Sequence, residues 1–313
     1  MNNLYLLLKL NRLKSNHKNN LGIGLLAFGQ IFSWAGLFYV FAAFLVTWEN
    51  NLAWSKAELT LGFSLAIFVS AISAPLVGKL IDSGFGKWVM PTGAFVGAIA
   101  LFSITLEGDY LTFIISWIII GFAQSACLYE ACFSHVLKLN PTESRRVVTH
   151  VSIVAGLAPS VAFVFGAILT NIFSWQIAII IFSIGVAALA APTLFLGALI
   201  FEHPAGGIES VVSSQREKLS SWEVFNKPIF WLIGIAFSLI AINHGILTNH
   251  LIPILMDRGS GYSFAIVTAS LIGPSQIIGR LALLKFGSKF DIAVVTLISF
   301  SGLFVASIFL LIA

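Results

Sequence analysis

The chain of 313 residues is too poor in charged residues to fold as a water-soluble globular protein. Hydrophobic residues make up 58% of the positions and charged residues only 10%, whereas about a quarter of the residues of a soluble domain are charged. Most of the surface must therefore face lipid, and the net charge of +4 is too small to indicate a nucleic-acid partner.

Nine apolar stretches follow a basic N-terminal tail, and each is long enough to cross a bilayer as a helix. A crossing helix needs about 20 apolar residues and satisfies its own backbone hydrogen bonds in lipid, which favours helices over strands. The predicted spans are 21–47, 60–81, 88–106, 111–137, 147–172, 175–201, 229–255, 262–282 and 291–312. We therefore predict an all-α membrane protein with nine transmembrane helices.

The lysines and arginines predict the orientation of these spans. If the N-terminus is cytoplasmic, fifteen of the 17 basic residues fall in cytoplasmic segments, and the outer loops hold only Lys56 and Arg258. We expect a multi-pass protein of the cell's inner (cytoplasmic) membrane with a cytoplasmic N-terminus. Nine spans place the C-terminus outside, and the chain ends within an apolar run, so we expect a truncated chain.

The sequence offers no pattern typical of an enzyme or a metal site. The two cysteines, Cys127 and Cys132, are five residues apart on one predicted helix and point in different directions. No metal-ligand spacing, phosphate-binding glycine loop or long soluble segment occurs in the sequence. We predict no enzymatic activity, no cofactor and no bound metal.

A polar cytoplasmic segment, 202–227, separates two parts of the chain that resemble each other. At a constant offset of 201, Gly78 aligns with Gly279, Lys79 with Arg280, Leu80 with Leu281, Phe85 with Phe286 and Gly86 with Gly287. Parallel repeats of this kind are a transporter architecture. We predict a six-helix bundle with its basic tail at 1–201, a cytoplasmic loop at 202–227 and a partial second bundle of three helices at 228–313.

The segment 78–87, Gly-Lys-Leu-Ile-Asp-Ser-Gly-Phe-Gly-Lys, resembles the loop signature of the major facilitator superfamily, with Ser83 at the place of the first arginine. Segments 128–133, 156–160 and 272–280 are similar to one bacterial branch of that superfamily. The resemblance implies secondary active transport of a small solute by alternating access, coupled to a proton or ion gradient. It also implies twelve helices, so the last three are expected to be missing.

The same resemblance implies a cytoplasmic gate. We expect Asp82, Lys87 and Glu130 to cluster and to hold two helices together in the outward-open state. A static salt bridge that stabilises one packing is the alternative, and a proton-carrying Glu130 is a third interpretation. The remaining residues assigned to this gate motif are Gly78, Gly86, Gly279 and Arg280.

Polar side chains at mid-depth are candidates for the wall of a substrate cavity. These are Gln30, Trp34, Gln124, Asn243, His244 and Gln276. The alternative is that the polar groups join neighbouring helices by hydrogen bonds, which are worth roughly 0.6 kcal/mol each in membranes. His244 could couple proton movement to a conformational change, or it could be a neutral histidine bonded to another helix.

Two other classes of protein compete with a transporter. A non-transporting solute sensor or scaffold could retain the same fold, but a sensor is expected to carry a sizeable soluble output domain, and the longest loop is only 202–227. A membrane-embedded enzyme would need clustered acidic residues and histidines. Of the candidates, Glu130 lies on a different predicted helix from His244 and His250.

Overall fold

The computed structural model describes residues 19–106, 109–139, 141, 144–202 and 226–312. The predicted basic tail and nearly all of the predicted loop 202–227 lie outside the described residues. Every regular element within the described ranges is helical. The predicted all-α class is therefore confirmed for the part of the chain that the structure describes.

Eight helices in the described ranges are long and apolar enough to cross a membrane, so the expected count of nine is not confirmed. We label them α1 (Asn19–Leu52), α2 and α3 (together Lys56–Ser103), α4 (Tyr110–Leu139), α5 (Ser144–Ile172), α6 (Trp175–Phe201), α7 (Pro228–Asp257), α8 (Tyr262–Phe286) and α9 (Ile292–Ile312). The structure has one spanning helix fewer than the nine predicted because the second and third predicted spans fall in the single helical stretch Lys56–Ser103, to which we give the two labels α2 and α3.

The stretch Lys56–Ser103 contains a turn in the segment that carries the loop signature. As a straight helix its 48 residues would be about 72 Å long, more than twice the bilayer core of about 30 Å. Gly84 has a φ of 96°, a left-handed conformation that glycine adopts without steric cost. We therefore distinguish α2 (Lys56–Leu80) from α3 (Gly86–Ser103), and both pack against α4.

Small residues allow α2 and α3 to approach α4 closely. A Cβ atom on Gly121 of α4 would collide with the Ala66 backbone of α2, and a Cβ atom on Gly93 of α3 would lie 2.6 Å from the Cβ of Ala126. Close backbone approach through glycine and alanine is a common basis of helix association in membranes. Large apolar side chains such as Phe68 and Ile72 are exposed on the outside, where lipid would contact them.

The chain divides into two compact units. The first comprises residues 1–205 and 252–281, so the C-terminal end of α7 and most of α8 pack with the first six helices. The second comprises 206–251 and 282–313, and within it the Phe237 ring of α7 meets the Phe300 ring of α9 at 5.6 Å. The division predicted from sequence, at 201 and 228, stays a prediction.

Candidate functional site

Helices α1 and α4 are each irregular where they meet, and a glutamine of one helix bonds the irregular backbone of the other. A π-helical turn, Ala35–Tyr39, interrupts α1, and the Gln124 Nε2 group of α4 donates to the Leu37 carbonyl there at 2.7 Å. Helix α4 is broken at Leu128, whose ψ is −164°. The Gln30 Nε2 group donates to the adjacent Cys127 carbonyl, also at 2.7 Å.

The burial of both glutamines favours the interhelical alternative. Gln30 is 0% exposed and Gln124 is 2% exposed, and their side chains contact backbone inside the first unit. The two side chains donate hydrogen bonds to backbone carbonyls at the places where α1 and α4 depart from regular helical hydrogen bonding. This role stabilises the fold and does not require a solute. Their assignment to a cavity wall stays a prediction.

A group of buried and half-buried side chains, which we call the arginine cluster, lies beside this reciprocal contact. Its members are Trp34, Tyr39, Tyr129, Gln276 and Arg280. The Trp34 ring lies 4.7 Å from the Tyr129 ring, and the Gln276 Nε2 group donates to the Tyr39 hydroxyl at 3.3 Å. The π-helical turn of α1 carries Tyr39, and the break of α4 precedes Tyr129, so the two irregularities position these rings.

Arg280 reaches from α8 to both α4 and α5. Its Nη1 group donates to the Ser152 carbonyl of α5, and its guanidinium carbon lies 5.9 Å from the centre of the Tyr129 ring. Gly156 makes room for it, since a Cβ atom there would lie 2.9 Å from Nη1. Sequence reasoning assigned Arg280 only to the gate motif. The four-residue spacing of Gln276 and Arg280, which places both on one helix face, was the available signal.

The gate-motif loop is attached to α4 by a lysine that sequence reasoning missed. The Lys138 Nζ group donates to the Ile81 carbonyl at 3.0 Å and also to the Asp82 carbonyl, at the end of α2. The side chains of Asp82 and Glu130 are exposed, and Lys87 is half-buried. The cluster of Asp82, Lys87 and Glu130 therefore stays a prediction, because the described contact uses the backbone of Asp82.

The gate-motif glycines occupy different surroundings. Gly86 is buried against the His135 ring of α4, and a Cβ atom at Gly86 would collide with that ring. The His135 Nε2 atom also lies 3.4 Å from the Ala198 carbonyl of α6. Gly78 and Gly279 each have open space where a Cβ atom would be placed, so close packing does not explain a glycine at either position.

A charged contact joins the C-terminal ends of α1 and α7 to the N-terminal end of α2 within the first unit. The Lys56 Nζ group lies 3.2 Å from the Asp257 carboxylate and 3.8 Å from the Glu49 carboxylate. A capping box formed by Ser55 and Glu58 fixes the start of α2 and hence the position of Lys56. Lys56 and Asp257 are 201 residues apart, which equals the offset of the internal repeat, so the pair joins equivalent positions of the two parts.

The candidate residues on α7 lie in the second unit. The Asn243 amide and the Ser307 hydroxyl of α9 exchange two hydrogen bonds, at 3.0 and 3.2 Å. This pairing corresponds to the interhelical alternative, while the cavity role of Asn243 stays a prediction. His244, the next residue, is half-buried, and its coupling role stays a prediction as well.

A family model described as the Major Facilitator Superfamily matches residues 26–313, and the chain belongs to this superfamily. No curated protein matches the chain. The resemblance inferred from the loop signature is therefore confirmed, and with it a multi-pass membrane protein that acts in transport. The bacterial branch and the absence of three helices stay predictions.

Proposed function

We propose that this member of the major facilitator superfamily is a secondary active transporter, which moves a small solute by alternating access and draws on a proton or ion gradient. Its N-terminus faces the cytoplasm, and the protein resides in the inner membrane. The distribution of 15 of 17 basic residues on one side supports this orientation.

The observation that carries the proposal is the way α8 contacts the first six helices. At mid-length the Ser160 hydroxyl of α5 donates to the Ser270 carbonyl of α8 at 2.6 Å, and Gly273 packs against the same serine. An interface of small residues has few interlocked side chains that would prevent sliding or rocking. Alternating access requires such movement of one repeat against the other.

Polar contacts at the two ends of this interface can hold it closed at one end while it opens at the other, and we call these two contacts the outer and inner latches. At the outer end Lys56 pairs with Asp257, and at the inner end Arg280 bonds the Ser152 carbonyl. Both contacts join partly exposed groups, so water can replace either partner at low cost. We infer that the outer contact breaks in the outward-open state and the inner contact breaks in the inward-open state.

The loop signature acts at the inner end in this proposal. Lys138 holds the loop to α4 through the carbonyls of Ile81 and Asp82, which leaves the Asp82 carboxylate exposed. That carboxylate is then available to bind and release a partner during the cycle, as the predicted gate requires. Glu130, exposed on the first turn of the helix that follows the α4 break, is the second acidic group of the gate.

Spin-label distance measurements on the chain in nanodiscs test this proposal. Labels at Ala57→Cys and Arg258→Cys flank the Lys56–Asp257 contact. We expect two label-to-label distances, and we expect the relative populations of these two distances to change with pH or added solute. The matched control is Ala57→Cys with Leu106→Cys, both outside α7 and α8 in the first unit, which should give one constant separation. A single unchanging separation for the Ala57 and Arg258 labels would contradict alternating access.

The native cysteines do not interfere with this experiment. Cys127 and Cys132 are both free and 0% exposed, so a thiol-reactive label reaches only the introduced positions. The labelled positions neighbour the outer contact, and Lys56 and Asp257 themselves are kept in every labelled variant.

A further inference from the structure

The arginine cluster contains a positive charge that no described side chain neutralises. No carboxylate among the described residues lies within ion-pair distance of Arg280. Glu130 follows Tyr129 directly, yet it is exposed and forms no ion pair with the guanidinium. A guanidinium stays protonated at any pH that the protein meets, so the charge persists.

The guanidinium also has unused hydrogen-bonding capacity. It carries five N–H donors in a planar fork, more than the Ser152 carbonyl and the Tyr129 side chain accept. The Trp34 ring, which lies 4.7 Å from the Tyr129 ring, has a buried indole N–H without a hydrogen-bond partner among the described residues. A buried unpaired donor costs free energy, and a bound acceptor would remove that cost.

The remaining members of the cluster match an anion with an apolar part. The Tyr39 hydroxyl, the Tyr129 hydroxyl and the Gln276 amide offer neutral hydrogen-bond donors around the guanidinium. The rings of Trp34, Tyr39 and Tyr129 form apolar walls. Because Arg280 is the one cation of the cluster, a single negative charge balances it, whereas a phosphate dianion would leave an excess.

We propose that the arginine cluster binds a small organic monocarboxylate, whose carboxylate pairs with the Arg280 guanidinium while its apolar part contacts the rings of Trp34 and Tyr129. This inference rests on the proposed transport function, since it names the class of solute. Planar carboxylates bind guanidinium groups through two parallel hydrogen bonds, which gives both strength and orientation.

Binding at this place would also act on the conformational cycle. Arg280 joins α8 to α5 through the Ser152 carbonyl, and a carboxylate that takes over the guanidinium competes with that carbonyl. The solute thereby weakens the inner latch while it binds between the two repeats. This links occupancy of the site to movement of α8 without any further group.

Thermal stability of the purified chain in detergent, measured at constant ionic strength, tests the inference. The probes are propionate, pyruvate and benzoate, with benzamide as the neutral counterpart of benzoate and inorganic phosphate as the competing anion. We expect at least one monocarboxylate to raise Tm saturably, and benzamide and phosphate to have no effect. No shift with any of the three carboxylates, or equal shifts with benzamide or phosphate, would overturn the inference.

Two substitutions assign any binding to the cluster. Arg280→Lys keeps the charge but loses the planar fork, and we expect binding about 10- to 100-fold weaker, as the loss of hydrogen bonds to a charged group predicts. Lys79→Gln is the matched control, because Lys79 occupies the equivalent repeat position on α2 and is exposed. Unchanged binding by a folded Arg280→Lys variant, checked by circular dichroism, would place the carboxylate elsewhere.

The two proposals fail in different experiments. If carboxylates do not bind but the labels at residues 57 and 258 still show two separations, the solute class is wrong and the transport proposal stands. If carboxylates bind and the separations never change, the chain has an anion site but does not alternate. Each result is obtained from the same purified chain.

Discussion

Replacing Gln124 by leucine tests how α1 and α4 are held together. The substitution keeps a side chain of similar size but removes the donor that reaches the Leu37 carbonyl at 2.7 Å. Hydrogen bonds between membrane helices average about 0.6 kcal/mol, because the unfolded chain finds other partners in the bilayer. A buried carbonyl that is left unsatisfied costs about 1–3 kcal/mol instead.

The larger figure applies here because neither group can reach water. Leu37 is 0% exposed and Gln124 is 2% exposed, and the carbonyl belongs to a π-helical turn. We therefore expect Gln124→Leu to lower the free energy of unfolding by about 1–2 kcal/mol. Gln30→Leu should cost a similar amount, since it removes the corresponding bond to the Cys127 carbonyl.

Reversible unfolding in bicelles, followed by circular dichroism, measures these differences. Thr92→Val is the matched control, since the Thr92 hydroxyl is exposed and bonds only carbonyls of its own helix, at 2.6 and 3.1 Å. That variant should change stability by less than about 0.5 kcal/mol. If Gln124→Leu were as stable as Thr92→Val, the reciprocal contact would not stabilise the bundle and this reasoning would be refuted.

Three further predictions concern the ends and the centre of the first unit. Lys138→Met should speed amide hydrogen exchange in segment 78–87, because the carbonyl contacts of the loop are lost, and Lys138→Arg should largely restore protection. Two hydrogen bonds from Thr112 hold the pKa of Asp109 below its ordinary value, so the helix cap that Asp109 provides is lost when the carboxylate is protonated at low pH. Serine in the Asp109→Ser variant also caps the helix but does not titrate. The Tm of the wild type should therefore fall in acid relative to the Tm of Asp109→Ser. Gly121→Ala should lower Tm by several degrees, whereas Gly245→Ala, which has open space, should not.

The approximate positions of the helices along the chain were largely predictable from the sequence, because the length of an apolar stretch can be read directly from its residues. The predicted second span began at 60, and α2 begins at Lys56, since the capping box at Ser55 and Glu58 adds a polar first turn that apolar counting omits. The turn at Gly84 falls within the segment identified from its loop signature. Apolar length could not show that the turn consists of the five residues Ile81–Phe85, with Gly84 in a left-handed conformation.

The irregularities of α1 and α4 were not predictable, and the site depends on them. Neither irregularity coincides with a proline, and the one glycine in the π-helical turn, Gly36, does not by itself predict a π-helical turn. Gln30 and Gln124 were recognised as polar residues at mid-depth, but their partners are carbonyls that only these irregularities provide. The position of Arg280 depends likewise on the Ser152 carbonyl of the neighbouring helix and on the space at Gly156.

Uptake by proteoliposomes that contain the purified chain, under an imposed pH gradient, tests the central claim of secondary transport most directly. A labelled panel of monocarboxylates, amino acids and sugars is offered, with protein-free liposomes and the Arg280→Lys variant as controls. We predict that at least one solute accumulates above its external concentration and that a protonophore or ionophore abolishes the accumulation. Uptake equal to that of protein-free liposomes for every solute would contradict the account.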